Sequence, residues 1–504
     1  MGKTEQNKGS PTPSAPKLYS AKQFYMDDYP RTLFPLNTNR IVVEHGEDKI
    51  KSYLGDCASG GKSFSPQFRV YAAKDPIHLR RTVKLDPVAE YFIYDLVYRN
   101  RQRFKKPHSS KRVHYGYRFE SGLPLSASND YKSFKEAVWI DGIFGEPFIG
   151  FDVSNYFNSL YHHDLEAWLA ALDASNEDVQ MFSKFLRETN AGRSIDCLPH
   201  GLYPTKMIGN DFLRFIEEST FLKATSVHRF MDDVYIFGNS QQEVNADFNR
   251  IQRILGLKGL SVNPSKTSLV RSKTEETDES ISLVKKNLLQ RRRDIVSSSL
   301  YDDTESDGET VKADLSDEEL EEINGILKAG DIEEDDAELI LTVMRDHAED
   351  VLGFLPGIIS RFPHLAKNVY KFCEEIDDAE AVADLIDESL TANDETQEYQ
   401  LFWFGMMVES YLMQSKKAPN IIEKLLSHRN RTDISVAKVL EIPDLRYGLP
   451  DVRQGYLASG RSDWLSWSSA VGSRAVKPAA RNYVLEYFMK SSPSNCSRGR
   501  QLVG

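Results

Sequence analysis

The sequence has few cysteines and no long apolar segment. Its four cysteines, Cys57, Cys197, Cys373 and Cys496, are far apart in 504 residues. None forms a CxxC pair, so the sequence indicates neither a zinc site nor a disulfide framework and favours a reducing cytoplasm. No apolar run approaches the roughly 18 residues of a membrane-spanning helix, so we expect no membrane partner. Residues 1–20 are predicted to be a disordered tail, because the polar start of the chain lacks the apolar region of a secretory signal.

An excess of positive charge is also missing. The formal net charge is -12, whereas a protein that binds nucleic acid must meet a polyanion. The charges are unevenly distributed, because residues 80–112 are rich in Lys and Arg while residues 302–336 are strongly acidic. The sequence therefore predicts a basic first half that can hold nucleic acid and an acidic second half with a different task. A chain of this length is expected to form two or three domains.

The first half mixes strands with helices. Four segments have the composition of strands: Arg40–Glu44, Phe68–Ala73, Pro147–Val153 and Val227–Phe237. The last of them has Met-Asp-Asp at its centre, which predicts a hairpin with acids at its turn. Apolar residues at helical spacing, with Pro87 in the first turn, predict a helix over 86–104. A helix is also predicted over 247–256, followed by a strand near 268–270.

The second half is predicted to be almost wholly helical. Residues 296–314 have little apolar content and are predicted to be an acidic linker or loop. After it, residues 315–504 are predicted to form an α-helical domain. Apolar residues recur at helical spacing in Ala337–Leu352, Asp378–Leu390, Tyr399–Met413, Ile421–Leu426 and Asn482–Met489. A helical-repeat arrangement is one interpretation, although no sequence period is visible.

Three segments of the first half carry candidate chemistry: Phe151–Phe157, Leu198–Thr205 and Phe230–Asp233. Nucleotidyl transfer uses two divalent ions about 4 Å apart. Magnesium prefers a few carboxylate oxygens together with phosphate oxygens and water. Asp152 at a strand end, with Asp232 and Asp233 at a hairpin turn, meets that need. Each feature alone is more often structural, but an acid pair between apolar strands is costly unless it is paired or metal-bound.

These segments together resemble the palm of reverse transcriptases. Segments similar to the palm motifs A, B, C and D are, in chain order, Phe151–Leu160, Leu198–Thr205, Phe230–Asp233 and Leu257–Thr267. His78–Arg81 followed by Leu85–Pro87 resembles the fingers segment, and the similarity covers roughly residues 65–275. The resemblance implies an α+β right-hand polymerase, with fingers and palm over residues 21–295 and the all-α region beyond.

The resemblance also implies which residues hold the metals. Asp152 and Asp232 would bind both Mg²⁺ (or Mn²⁺) ions, and Asp233 would support them. The backbone carbonyl of Val153 would complete one coordination shell. The substrates implied are dNTPs, with a DNA product and an RNA template as partners.

Further residues fall on substrate-binding positions of the family. Phe157 falls on an aromatic gate that excludes the 2′ hydroxyl of a ribonucleotide, and an ordinary core Phe is the alternative. Arg80 or Arg81 would neutralise the triphosphate. Lys266 would protonate or bind the leaving pyrophosphate, and Gly201 would let the backbone approach the nucleotide or the template. Plain surface side chains remain the alternative for the arginines and for Lys266.

Two residue differences from the family motifs, together with the arrangement of the domains, indicate which reverse transcriptases this chain resembles most. Phe230 replaces the usual Tyr of motif C and His200 replaces the usual Gln of motif B, which leaves the metals untouched but affects template handling. A palm without an RNase H acid cluster or a zinc site, followed by an acidic helical region, resembles bacterial abortive-infection and other defence-associated reverse transcriptases. That resemblance implies a homo-oligomer and synthesis without an external template, started in some members from a protein hydroxyl. Two alternatives stay open: a retron-like or intron-like enzyme that copies a dedicated RNA, and a silent palm that serves as a nucleic-acid-binding assembly module.

Overall fold

The computed structural model describes residues 19–104, 106–107, 109–143, 147–196, 198–268, 283–299, 315–330 and 332–491. Most of the predicted tail, residues 300–314 of the predicted linker and residues 269–270 of the last predicted strand lie outside these ranges, as do Cys197 and Cys496. Cys57 and Cys373 are buried free thiols. Within the described ranges, no helix is long and apolar enough to cross a membrane.

In the part of the chain that the structure describes, eight strands form three sheets. They are β1 Phe68–Ala73, β2 Leu79–Lys84, β3 Arg112–Tyr115, β4 Phe119–Glu120, β5 Leu123–Pro124, β6 Phe148–Phe151, β7 Ser226–Phe230 and β8 Asp233–Phe237. The largest sheet has the order β3-β7-β8-β6. β7 and β8 form an antiparallel hairpin in which Phe230 is opposite Asp233, and β6 runs antiparallel to β8 with Phe151 opposite Val234. The predicted strand at 147–153 and the predicted hairpin at 227–237 are therefore confirmed.

Helices make up most of the other regular structure described in the first half. They are α1 Ala21–Asp28, α2 Asn37–Ala58, α3 Pro87–Asn100, α4 Ala127–Ile143, α5 Tyr156–Ser159, α6 His162–Ala171, α7 Asn176–Thr189, α8 Tyr203–Phe212, α9 Gln241–Leu257 and α10 Leu283–Ser299. The predicted helices at 86–104 and 247–256 correspond to α3 and α9. Asp86 caps α3 by accepting hydrogen bonds from the N–H groups of Val88 and Ala89, and Pro87 occupies the first turn, where no donor is lost.

The predicted strand at Arg40–Glu44 is wrong, because these residues lie inside α2. The adjacent β-branched residues Ile41, Val42 and Val43 favour a strand when they are read alone. The longer segment also buries Ile50 and Leu54, and this spacing places the apolar side chains along one face of a helix. Burial of that face decides the structure, since β propensity is weak beside tertiary packing.

The second half contains only helices among its described residues. They are α11 Asp317–Ala329, α12 Glu334–Val343, α13 Ala348–Val351, α14 Leu355–Arg361, α15 Ala366–Cys373, α16 Ala379–Ala392, α17 Glu398–Met407, α18 Ala418–Ser427, α19 Asp433–Leu440, α20 Leu449–Ala458, α21 Trp464–Gly472 and α22 Pro478–Ser491. The helical prediction is confirmed, except that the segment predicted at 337–352 is divided between α12, a short 3₁₀ turn and α13. The predicted linker begins too early, because residues 296–299 continue α10, which the buried Leu288 anchors in the core. The α+β class with a helical C-terminal region is confirmed, while the helical-repeat interpretation and the domain limits stay predictions.

The C-terminal helices pack directly on the first half. Phe34 meets the ring of Phe402 at a centroid distance of 5.1 Å. The Glu441 carboxylate accepts hydrogen bonds from the backbone N–H groups of Asn37 and Thr38 at 2.9 and 2.8 Å. Glu441 therefore caps α2, whose own N-cap side chain is apolar and makes no capping bond. We call this set of contacts the junction.

Candidate active site

Asp152 follows β6 and is held by the segment that the sequence assigns to motif D. The Asn263 N–H donates to the Asp152 carbonyl at 2.9 Å, and the Ser154 N–H donates to the Ser261 carbonyl at 2.8 Å. A short 3₁₀ turn, Pro264–Lys266, then brings Lys266 Nζ within 2.9 Å of Asp152 Oδ2. The structure thus brings together Asp152 and Lys266, two residues 114 positions apart that the sequence assigns to one site.

One oxygen of this carboxylate has no partner in the structure. Asp152 is 7% exposed, and its Oδ1 is buried without a hydrogen bond. A buried anionic oxygen without a donor or a cation is costly. The atom therefore marks a place where a cation would be stabilised.

Asp232 and Asp233 stand at the turn between β7 and β8, beside Asp152. Burial raises the pKa of Asp232 to about 6, with further increases from the charges of Asp233 and Asp152 and a decrease from Lys266. Asp233 is more exposed. Desolvation in the cleft raises its pKa too, while Lys266 and Lys135 lower it and Asp152 raises it. Three carboxylates in mutual electrostatic contact repel one another, and a divalent cation would relieve that repulsion.

The donor set fits magnesium or manganese. Within the described ranges, no group of three or more His, Cys, Asp or Glu side chains is already arranged to hold a metal ion. Magnesium typically takes one or two carboxylates and completes its shell with substrate phosphates and water, so it does not need a preformed protein cage. The two backbone hydrogen bonds to the motif D segment are made by Asp152 and Ser154, and neither of them involves the Val153 carbonyl. The ions when bound would activate the attacking hydroxyl and neutralise the phosphates.

Phe157 lies in a tightly packed position next to this site. The side chain is 8% exposed, and its ring meets the His200 ring at a centroid distance of 4.8 Å. On the other side, a Cβ added to Gly209 of α8 would lie 3.0 Å from the Phe157 ring. The ring is therefore clamped between α8 and the segment before it.

His200 is the residue of motif B that departs from the family pattern. Its backbone N–H donates to Thr82 Oγ1 at 2.7 Å. Burial, followed by the charge of Arg80, lowers the pKa of the imidazole to about 3. His200 is therefore neutral at physiological pH, and its Nε2 is buried without a hydrogen bond.

The remaining residues assigned to substrate binding occupy different settings. Arg80 is exposed on β2 and lies near enough to His200 to affect its charge. Arg81 pairs with Asp196 at 3.0 Å. Gly201 has a φ of +88°, and a Cβ there would lie 2.8 Å from Leu33 Cγ. Packing against Leu33 accounts for this glycine, and its approach to a nucleotide stays a prediction.

Other cations of the basic segment 80–112 are engaged within the protein. Arg99 pairs with aspartates of α3 and α7. Arg112 donates to the backbone carbonyls of Glu217, Ser219 and Leu222. Part of the charge that the sequence offers to nucleic acid is therefore used to hold the fold.

Sequence reasoning missed the residues that support the acid-bearing turn, which include Arg229, Glu217 and Asn210. The Arg229 guanidinium is 0% exposed and binds the Glu217 carboxylate with two hydrogen bonds, of 2.9 and 2.6 Å. One signal was available: a charged residue in the middle of an apolar strand must have a buried partner. The identity of that partner cannot be read from the sequence.

Part of the chain matches a known protein family. Residues 142–288 match the family model described as reverse transcriptase (RNA-dependent DNA polymerase), and the predicted motifs A to D lie within them. No match was found among curated proteins. The predicted fingers segment lies outside the matched residues.

Two solved structures are similar at low identity. A telomerase from Candida albicans in complex with a TWJ fragment of telomeric RNA is 12% identical, with a TM-score of 0.31, over 73% of this chain and 66% of that one. Apo telomerase from Candida tropicalis is 11% identical, with a TM-score of 0.33, over 75% of this chain and 73% of that one. This chain thus spans just under two thirds of the Candida albicans protein.

The family match covers the strand that ends at Asp152, the Asp232–Asp233 turn and the Lys266 segment. A domain of this family uses divalent metal ions, dNTPs and a nucleic-acid template. Residues 142–288 of this chain are therefore similar to a reverse transcriptase domain.

Proposed function

We propose that this protein polymerises dNTPs by two-metal nucleotidyl transfer through Asp152, Asp232 and Asp233. The observation that carries the proposal is the buried, unpartnered Oδ1 of Asp152 beside two carboxylates whose pKa values are raised. Such a cluster is unfavourable by itself and becomes favourable when divalent cations bind. This argues against a silent palm, because a protein that only assembles has no use for three crowded acids.

Lys266 acts on the leaving pyrophosphate in this proposal. Its hydrogen bond to Asp152 raises the pKa of its ammonium group, so the side chain enters the reaction protonated. Asp152 would hold the metal and Lys266, 2.9 Å from its Oδ2, would supply a positive charge and a proton donor to a phosphate at this site. Arg80, which is exposed near His200, is the better of the two arginines for the triphosphate, because Arg81 is paired with Asp196.

We further propose that the enzyme acts in bacterial antiphage defence, in the cytoplasm and as a homo-oligomer, and makes DNA without an external template. The acidic helical half supports this proposal, because it would repel a long nucleic acid and favour a short or enclosed channel. Synthesis in this proposal can start from a Tyr or Ser hydroxyl of the protein. A retron-like enzyme that copies a dedicated RNA is the second candidate, and the basic exposed side chain of Arg80 would serve either one.

The first prediction is that purified protein incorporates labelled dNTPs with Mg²⁺ or Mn²⁺ when no primer or template is added. The expected product remains with the protein through phenol extraction, since a covalent bond to a side-chain hydroxyl survives denaturation. Treating the preparation beforehand with nuclease is the control for co-purified RNA. Incorporation that disappears after this treatment would instead support copying of a bound RNA, and no incorporation under any condition would contradict the proposed function.

The second prediction concerns sugar selection by Phe157. Replacing Phe157 by Ala should increase the ratio of rNTP to dNTP incorporation by at least about tenfold, because removing one packing group changes discrimination by about 1–3 kcal/mol. The Phe157→Tyr variant keeps the ring and should retain the wild-type ratio. An unchanged ratio in Phe157→Ala, in protein that still incorporates dNTPs, would remove this residue from the role.

A further inference from the structure

The turn that carries the two aspartates is connected to α8 by one amide side chain. Asn210 Oδ1 accepts a hydrogen bond from the Met231 backbone N–H at 3.2 Å and another from Arg229 Nη1 at 3.0 Å. The Asn210 amide nitrogen donates to the Tyr115 carbonyl of β3 at 2.8 Å. This buried side chain, which is 1% exposed, thus joins α8, β3 and the turn.

Met231 is in a conformation that its side chain does not favour. Its φ is +57°, which is in the left-handed region where residues with a Cβ are uncommon. Such backbone costs of order 1–3 kcal/mol and persists only when its surroundings determine it. The Met231 N–H is bound by Asn210, and its carbonyl accepts from Arg229 Nη1 at 2.9 Å, so both backbone groups of the strained residue are held.

The Arg229 guanidinium, which bonds to the turn, is itself held by a buried carboxylate. Arg229 and Glu217 are both fully buried and lie 2.6 Å apart at their closest atoms. His114 Nδ1 lies 3.1 Å from Glu217 Oε1, the oxygen that also accepts from Arg229 Nη2. Burial alone would raise the pKa of Glu217, but the charge of Arg229 outweighs it and holds the pKa below its usual value. The guanidinium is therefore permanently paired and has one orientation.

We infer that Asn210 and Arg229, anchored by Glu217, are positioning residues that set the direction of the Asp232 and Asp233 carboxylates. Both side chains are buried and bond to protein groups of the turn. They act through Met231, because a residue held at positive φ reverses the chain and turns the following carboxylates toward Asp152. The same helix, through the Gly209 carbonyl, accepts a hydrogen bond from Tyr156 Oη at 2.7 Å. α8 therefore fixes both sides of the acidic site, and this inference rests on the proposed function of those acids.

The test is the Asn210→Ala variant, with Asp211→Asn as the matched control. Asp211 is the next residue of α8, but its carboxylate binds Trp168 and Arg214 and makes no bond to the turn. Hydrogen–deuterium exchange of a peptide covering residues 226–237 should become faster in Asn210→Ala and stay unchanged in Asp211→Asn. The kcat for dNTP incorporation should fall on the order of 100-fold, as expected for a displacement of about 1 Å. The KM for dNTP should change far less, because the nucleotide contacts other residues.

Failure of this inference and failure of the proposed function give different results. A wild-type enzyme that incorporates no dNTP would contradict the proposed function, while the exchange measurement would still decide whether Asn210 holds the turn. Unchanged exchange of the turn in Asn210→Ala would overturn the inference, whatever the activity. If Asn210→Ala fails to fold, Asn210→Ser supplies the same comparison, because its shorter hydroxyl keeps a polar group but does not reach the Met231 N–H.

Discussion

The Asp232→Asn, Asp233→Asn double variant is expected to lose dNTP incorporation by at least about 1,000-fold. Metal-ion stabilisation of the transition state contributes several kcal/mol, and each 1.36 kcal/mol is a factor of ten in rate. Asparagine keeps the volume and the hydrogen-bonding capacity of the side chain but removes the charge that attracts the cations. The measurement is incorporation of labelled dNTP at saturating Mg²⁺, beside an Asp48→Asn control on the exposed face of α2.

The same double variant should be at least as stable as the wild type when no metal is present. The pKa of Asp232 is raised in the folded protein, so the ionised carboxylate opposes folding at neutral pH, and this cost disappears in the amide. Its thermal midpoint in EDTA is therefore expected to equal or exceed that of the wild type. Wild-type levels of incorporation by this variant would exclude these acids as metal ligands. A lower midpoint would show that the carboxylates serve the fold and not a cation.

The second large effect is expected from Glu217→Leu. This substitution leaves the Arg229 guanidinium buried without a counter-charge, which typically costs about 3–5 kcal/mol. The urea midpoint for loss of the palm structure should fall clearly below that of the wild type. Exchange of the peptide over 226–237 should accelerate as well, because Arg229 would no longer hold the Met231 carbonyl.

The double variant Glu217→Leu, Arg229→Met distinguishes the effect of an unpaired buried charge from the effect of losing the hydrogen bonds that position the turn. Replacing a buried ion pair by apolar side chains of similar size is often close to neutral, so a large share of the lost stability should return. Incorporation of dNTP should not return with it, since the Asn210 and Met231 oxygens have lost their donor. Recovery of both stability and activity would mean that the ion pair has no positioning role.

The palm could be predicted from the sequence because its signals are local. An apolar run that ends in Asp152 and a hairpin with acids at its turn are visible without any tertiary information. The fold around these segments could not be predicted from local signals alone. Arg40–Glu44 has the composition of a strand, and only packing of the complete α2 face against the core makes it helical. The support of the turn was missed for a related reason: Arg229 on β7 and Glu217, in the segment that follows α8, pair only after these two parts of the chain have been brought together.

For the site residues other than the three aspartates, the family resemblance did not predict which partners each side chain has in the structure. Arg81 and Arg80 are adjacent, yet the structure pairs Arg81 with Asp196 and leaves Arg80 exposed. Gly201 fits a family position, but its positive φ and the contact with Leu33 already require a glycine there. No local pattern separates these cases, because the partner in each is distant along the chain.

The junction has a consequence for the order in which the protein becomes complete during synthesis. The Asn37 N–H is bonded to a carboxylate 404 positions later. At about 5–20 residues per second, a ribosome needs roughly 20 to 80 s to cover that distance. During that interval the first half of the chain is completed while the first turn of α2 has no cap. A chain released before position 441 would therefore contain Asp152, Asp232 and Asp233 and still lack the residue that caps α2.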